Sequence, residues 1–228
     1  MPSVSETVRS PMLYLASQSP RRRELLAQLG VDFTVLDTQV PEQRMPGELP
    51  EAYVRRVARA KAAAGLELVR DVDGALVLGA DTDVVLDDEV FGKPRDAADA
   101  VAMLGRLSAR THRVISTVWL LGARGESCAE CISLVTFGVL RARDIDAYVA
   151  TGEPFGRAGA YAIQGRGATL VAHLEGSHSG VMGLPLFETA RLLREAGLQP
   201  GALSVPNSTA SASALFAPCA SIDGHNER

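Results

Sequence analysis

Lysine is almost missing from this sequence: of 23 basic residues only Lys61 and Lys93 are lysines, and the rest are arginines. A chain that uses arginine almost wherever a positive charge will serve marks those two positions, because an ammonium is a compact point charge on a flexible stem. A basic surplus is missing too. The net charge of −4 and the pI near 5.6 argue against nucleic acid as a bulk electrostatic partner. Three cysteines are too few for a disulfide framework. Cys128 and Cys131 of "CAEC" lack the two further ligands of a zinc site, and they fall in a segment that reads as a strand, where positions three apart face opposite ways. The spacing of His173 and His178 matches no metal motif. Long apolar runs are absent as well: "LYLA", "ALVLGA" and "TVWLLGA" fall far short of the ~20 residues that span a bilayer. The polar start "MPSVSETVRS" carries no signal-peptide core. The expectation is a cytoplasmic protein with neither a membrane nor a nucleic acid as partner. There is no Walker A loop, dinucleotide fingerprint or GxSxG elbow.

What is present is a mixture of strands and helices that predicts an α/β fold with some antiparallel pairing. "MLYLA" reads as a buried strand. Ser19, Pro20 and Gly30 then punctuate a helix over "PRRRELLAQL", with the cap, the first helical position and the exit each filled by a suitable residue. A strand follows at 33–38 and a long helix at 51–69. "ALVLGADTDVVLDDEVFGKP" is expected to be a strand, a polar break and a second strand, turning at Asp87-Asp88-Glu89. Helices are expected in "DAADAVAMLGRLS", "ARDIDAYVATG" and "PLFETARLLREAGL", and strands in "THRVISTVWLL", "CISLVTFGVL" and "ATLVAHL". Residues 12–200 are expected to form one two-lobed domain. Residues 1–11 are expected to be a flexible N-terminus, and 201–228, rich in Ser and Ala without periodicity, a disordered tail.

Two stretches carry chemistry. In "LASQSPRRREL", Arg21 and Arg22 occupy the first turn of a helix, where positive charge is unfavourable for the helix itself by up to ~1 kcal/mol. That placement makes sense if a polyanion binds there, since the helix start offers free backbone N–H groups and guanidiniums clasp phosphate oxygens. Ser17 and Ser19 add hydroxyl donors. "GADTDVVLDDEVFGKP" supplies carboxylates. Asp81 stands where an apolar run ends, a place that suits a working carboxylate, and in extended chain Asp83 points to the same side. A carboxylate beside a polyphosphate can hold Mg²⁺ or deprotonate water. Lys93 can reach a phosphate. These residues alone imply a polyphosphate-handling α/β protein.

Four ordered segments, "LYLASQSPRRRELLAQLG", "LGADTDVV…FGKP", "ATGEPFGRAGAYAIQG" and "EGSHSGVMGLPL", resemble the Maf family of nucleoside triphosphate pyrophosphatases, related to septum-formation inhibitors. The third resembles the branch acting on dTTP and UTP. The resemblance implies a Maf/inosine-triphosphatase-like fold, a curved mixed sheet with flanking helices and a deep cleft between two lobes. It also implies hydrolysis of the triphosphate to a monophosphate and pyrophosphate, a divalent cation (Mg²⁺ or Mn²⁺), and a possible homodimer. By motif position it implies Asp81 as general base and metal ligand, and Glu42 as a carboxylate near the metal. Ser17, Arg21, Lys61 and Lys93 fall at phosphate-contacting positions. Arg21, Thr82 and Gln164 fall at positions linked with substrate choice. Gly156-Arg157 stands where the family usually shows Asp-Lys, Gly138 where a basic residue is common, and Ala162 where Gly is usual. These departures bear on the nucleobase end. Two other readings stay open: a nucleotide-binding regulator of cell division, and a house-cleaning pyrophosphatase for other non-standard nucleotides.

Overall fold

Four of the five residues of "MLYLA" are buried in β1 (Met12–Ala16), a run that marks a strand covered on both faces. The computed structural model describes residues 12–201; of the segments expected to be flexible, 1–11 and all of 201–228 except Gly201 lie outside them. β1 pairs in parallel with β2 (Phe33–Leu36) and with β3 (Ala75–Leu86). Parallel pairing demands a crossover, which here is supplied by α1 (Pro20–Ala27) and by α2 (Pro50–Leu68). The Ser19 hydroxyl accepts from the Arg22 N–H, so the expected cap of α1 is formed.

β3 is one unbroken strand of 12 residues, not two pieces around a polar break. Asp81, Thr82 and Asp83 lie in register with Thr117, Ser116 and Ile115 of β5 (Thr111–Gly122). Asp81 therefore does not end its own strand. The strand that ends is the neighbour: Leu15 pairs with Leu78, and beyond Ala16 the chain leaves the sheet. The side chains of Asp81 and Asp83 emerge where that neighbour has gone. Asp87 and Asp88 take positive φ of 52° and 63° in the turn to the two-residue β4 (Glu89–Val90).

β5, β6 (Gly125–Phe137) and β7 (Val171–Glu175) complete the sheet by antiparallel pairing, in the order β2-β1-β3-β5-β6-β7 with β4 on β3. Cys128 and Cys131 lie on opposite faces of β6, the first exposed and the second half-buried. The remaining helices are α3 (Ala97–Leu107), α4 (Ala142–Val149), α5 (His178–Met182) and α6 (Leu186–Glu195). The first part of "ATLVAHL" is a 3-10 turn ending at Leu170, so β7 starts only at Val171. α5 has five residues and shows no periodicity to read; its cap, Ser177, accepts from the Gly180 N–H.

Two apolar clusters divide the long central strands. Leu78, Ala80, Val118 and Leu120 pack with α1 and α6, whereas Val84, Leu86 and Val114 pack with α3 and α4. Between them on that face lie Thr82 and its partner Ser116. Asp81 and Asp83 point to the other face, toward α2, which lies almost against the sheet. A Cβ at Gly79 would sit 2.5 Å from the Ala62 nitrogen and 2.6 Å from the Ala58 oxygen. Among the described residues, no helix is long and apolar enough to cross a membrane.

Candidate active site

A cleft of about 970 Å³ is lined by all eight residues given a role by motif position: Ser17, Arg21, Glu42, Lys61, Asp81, Thr82, Lys93 and Gln164. They come from β1's exit, the first turn of α1, the loop before α2, α2 itself, β3, the loop after β4 and the loop after α4.

At the floor, Lys61 Nζ donates to Asp81 Oδ1 at 2.8 Å and lies 2.5 Å from Glu42 Oε1. Lys93 Nζ reaches Glu42 Oε2 at 3.2 Å. Both lysines of this arginine-rich chain thus meet one carboxylate cluster. Lys61 lies on the buried stripe of α2, one turn beyond Val57 and Ala58, so its stem crosses apolar packing before the ammonium emerges. Burial pushes the Glu42 carboxyl upward, but hydrogen bonds and charge from Lys61 and Lys93 outweigh it and hold it below its usual value.

Asp83 has the opposite balance. Burial, with Asp81 and then Glu42 as like charges, pushes its carboxyl up to about 7. The same three carboxylates, after burial, raise the Tyr53 hydroxyl. The folded state binds the Asp83 proton more tightly than the unfolded chain does, so stability falls as pH rises from the ordinary carboxylate range to about 7. Asp83→Asn is therefore expected to raise the melting temperature at about pH 8, by a stabilisation on the order of a few kcal/mol, and to change little near pH 4. Equal melting curves for variant and wild type at both pH values would remove Asp83 as a stored cost.

The wall above is cationic. Arg22, the second arginine of the triplet, turns inward: its Nε donates to the Gly183 carbonyl at 2.8 Å and its Nη1 lies 3.4 Å from Ser17 Oγ. Burial lowers its pKa, opposed by Asp81, Glu42 and Asp83. α5 is tied to the same site from the sheet side, because Ser116 Oγ donates to the Gly180 carbonyl at 2.6 Å and lies 2.8 Å from Thr82 Oγ1. Arg21 lines the cleft with its pKa lowered by burial, then by Arg157 and Arg22. Motif position pointed to Arg21 alone; the inward turn of Arg22 depends on the distant Gly183 and left no local signal. Arg157, associated in the sequence with the nucleobase end, stands in the cleft within the field of Arg21.

At the other end, Gln164 is exposed at the cleft. Its loop is clasped by Glu153, whose carboxylate accepts from Tyr148 OH at 2.8 Å, Gly167 N at 2.9 Å and Arg166 N at 3.1 Å. A Cβ at Gly165 would collide with that carboxylate. The clasp also holds the neighbouring loop, which places Phe155 and Gly156 along the cleft.

The donors near Asp81 are carboxylate oxygens without His or Cys, a set that suits a hard cation such as Mg²⁺ or Mn²⁺. Among the described residues no group of three or more acidic, His or Cys side chains is arranged to hold a metal unaided. One or two carboxylates completed by phosphate oxygens and water is what Mg²⁺ ordinarily accepts, so the residues fit.

The chain is 58% identical over 188 residues to a protein of Xanthomonas campestris pv. campestris named dTTP/UTP pyrophosphatase, covering 82% of this chain and 99% of that one. A protein of the same name from Xanthomonas euvesicatoria pv. vesicatoria is 56% identical with the same coverage. A nucleoside triphosphate pyrophosphatase of Xylella fastidiosa is 55% identical over 183 residues, covering 80% of this chain and 97% of its own. The family described as Maf-like protein matches residues 12–196, and with these relatives it places the chain in that family.

Proposed function

We propose that the chain is a nucleoside triphosphate pyrophosphatase that hydrolyses dTTP and UTP to the monophosphate and pyrophosphate. The observation that carries this reading is the buried Lys61–Asp81 pair at the floor of a cleft whose wall holds Arg21, Arg22 and Ser17. A carboxylate and a set of phosphate-binding donors in one water-accessible cleft is what attack of water on a phosphoanhydride needs.

In this reading Asp81 orients the attacking water and takes its proton, while Lys61 compensates the carboxylate's charge and fixes its direction. Ser17, Arg21 and Lys93 bind phosphate oxygens and hold the chain of phosphates for in-line attack at the α-phosphorus. Arg22, tied to Gly183, adds fixed positive charge to the same wall. Asp81 and Glu42 would hold a divalent cation, with Asp83 adding negative charge beside them. When bound, such a cation neutralises phosphate charge and helps present the α-phosphorus to water.

Gln164 is assigned to the base. One amide can donate to O4 and accept from N3–H of uracil or thymine, and a purine must fit its larger edge into the same space. Leaving a buried polar group unpaired costs ~1–3 kcal/mol, so UTP and dTTP should exceed ATP and GTP by roughly 10-fold or more in kcat/KM. Pyrophosphate release from a side-by-side panel of nucleotides tests this. Gln164→Ala should shrink the pyrimidine preference more than it lowers total turnover. A panel led by GTP would overturn the base assignment, and a panel with no pyrophosphate release would overturn the activity.

A further inference from the structure

Arg21 and Arg157 both line the cleft, and among the described residues no carboxylate is hydrogen-bonded to either. Arg157 Nε is buried and has no hydrogen-bond partner among the described residues, an arrangement that costs free energy unless a ligand supplies the acceptor. Arg157 is close enough to depress Arg21, and the one carboxylate in Arg21's field, Glu24, has the smallest influence on it. The carboxylate that feels Arg157 is Glu153, and its oxygens are already taken by Tyr148 OH and two backbone N–H groups. Arg22 differs from both, since it is bonded to Gly183 and lies in the field of three carboxylates.

The loop that carries Arg157 is fixed in place. Gly159 N donates to the Gly92 carbonyl at 2.9 Å, next to Lys93. Gly159 also packs so closely on Val84, with φ of 69°, that a side chain there would be obstructed. Arg157 is therefore held at the cleft by backbone contacts that do not involve its own side chain.

We propose that Arg157 and Arg21 together form a seat for the terminal diphosphate of the substrate and retain it as the leaving group. The inference rests on the pyrophosphatase reading. Attack of the water oxygen on the α-phosphorus breaks its bond to the α–β bridging oxygen, which keeps the electron pair, and the water's proton passes to Asp81. The added negative charge appears on pyrophosphate. Two guanidiniums with no internal counter-ion bind that charge without first giving up a salt bridge, and their planar forks suit phosphate oxygens.

The test is calorimetric binding of inorganic pyrophosphate and of UMP to the full chain, comparing wild type, Arg157→Gln and Arg157→Lys. Arg157→Gln should weaken pyrophosphate about 10- to 100-fold, the loss of a charged hydrogen-bonding partner, and change UMP affinity by less than about 2-fold. Arg157→Lys, which keeps the charge and loses the fork, should fall between. Unchanged pyrophosphate binding in Arg157→Gln, or an equal loss for UMP, would overturn the seat. Should that variant misfold, Arg157→Lys binding pyrophosphate as wild type does would overturn it equally. If wild type binds pyrophosphate through Arg157 yet hydrolyses no triphosphate, the seat stands and the pyrophosphatase reading falls. If UTP is hydrolysed while both variants bind pyrophosphate normally, the seat alone falls.

Discussion

Asp81→Asn is expected to lower kcat for UTP by roughly 10²–10⁴-fold, the range that a positioned general base contributes. Asparagine keeps the shape of the side chain and can still accept from Lys61, but it cannot take a proton from water. Binding should be largely spared, because the phosphate-facing wall of Ser17, Arg21 and Arg22 is built from other elements. The Lys61 ammonium also keeps its second partner, Glu42. Nucleotide affinity measured with a non-hydrolysable analogue should therefore stay close to wild type while single-turnover rates collapse. Near-normal turnover in the folded variant would remove Asp81 from the role of base.

Lys61→Met should produce the largest loss of stability. The side chains of Lys61 and Asp81 are only 11% and 9% exposed, so deleting the ammonium leaves a buried carboxylate beside two others. Breaking a buried pair by removing one partner costs roughly 3–5 kcal/mol. Lys93→Met is the internal control: its side chain is 60% exposed, and an exposed pair is worth about 1 kcal/mol or less. The deficit of Lys61→Met also has a predicted pH dependence. In wild type the folded protein holds the Glu42 carboxyl below its ordinary value, largely through Lys61 once burial is overcome. That contribution is present above the ordinary carboxylate pKa and is lost as pH falls through the folded value. The gap between variant and wild type should therefore narrow toward about pH 4, as read by urea unfolding. A variant as stable as wild type at neutral pH would show that Lys61 does not compensate the cluster.

The parts of this site that could be read from sequence are those with a local signature. Ser19-Pro20 announces a helix start, and the cap is found where the residue types place it. The two lysines stood out only because arginine replaced lysine everywhere else, and both meet Glu42. The alternation that sends Asp81 and Asp83 to one side holds within β3, where both are buried. The expected break in β3 was wrong for a tertiary reason: polar residues persist mid-strand when a neighbouring strand stops beside them, and β1's end is invisible from within "GADTD". α5 was missed because five residues carry no period, and its position is set by Ser116 and Ser177. Arg22 was placed with Arg21 at the anion-binding helix start, but its inward turn could not be read because it is decided by a carbonyl 161 positions away. Long-range contacts of this kind leave no mark on composition or spacing.

The contact of α2 with β3 has a consequence for the fineness of the whole site. The height of Lys61 above the sheet is set by main chain resting on main chain at Gly79, not by side chains that can change rotamer. Gly65, one turn beyond Lys61, is a second close approach, here against side chains: a Cβ there would lie 2.8 Å from Val77 Cγ1 and 2.9 Å from Ala16 Cβ. The helix thus rests on one hard stop around its lysine and a softer one a turn further on, as a machined part rests on datum surfaces. A methyl group at either stop would act as a shim, lifting the ammonium away from Asp81 without altering any residue that touches substrate. The two glycines belong to the tolerances of the site as much as the lysine does.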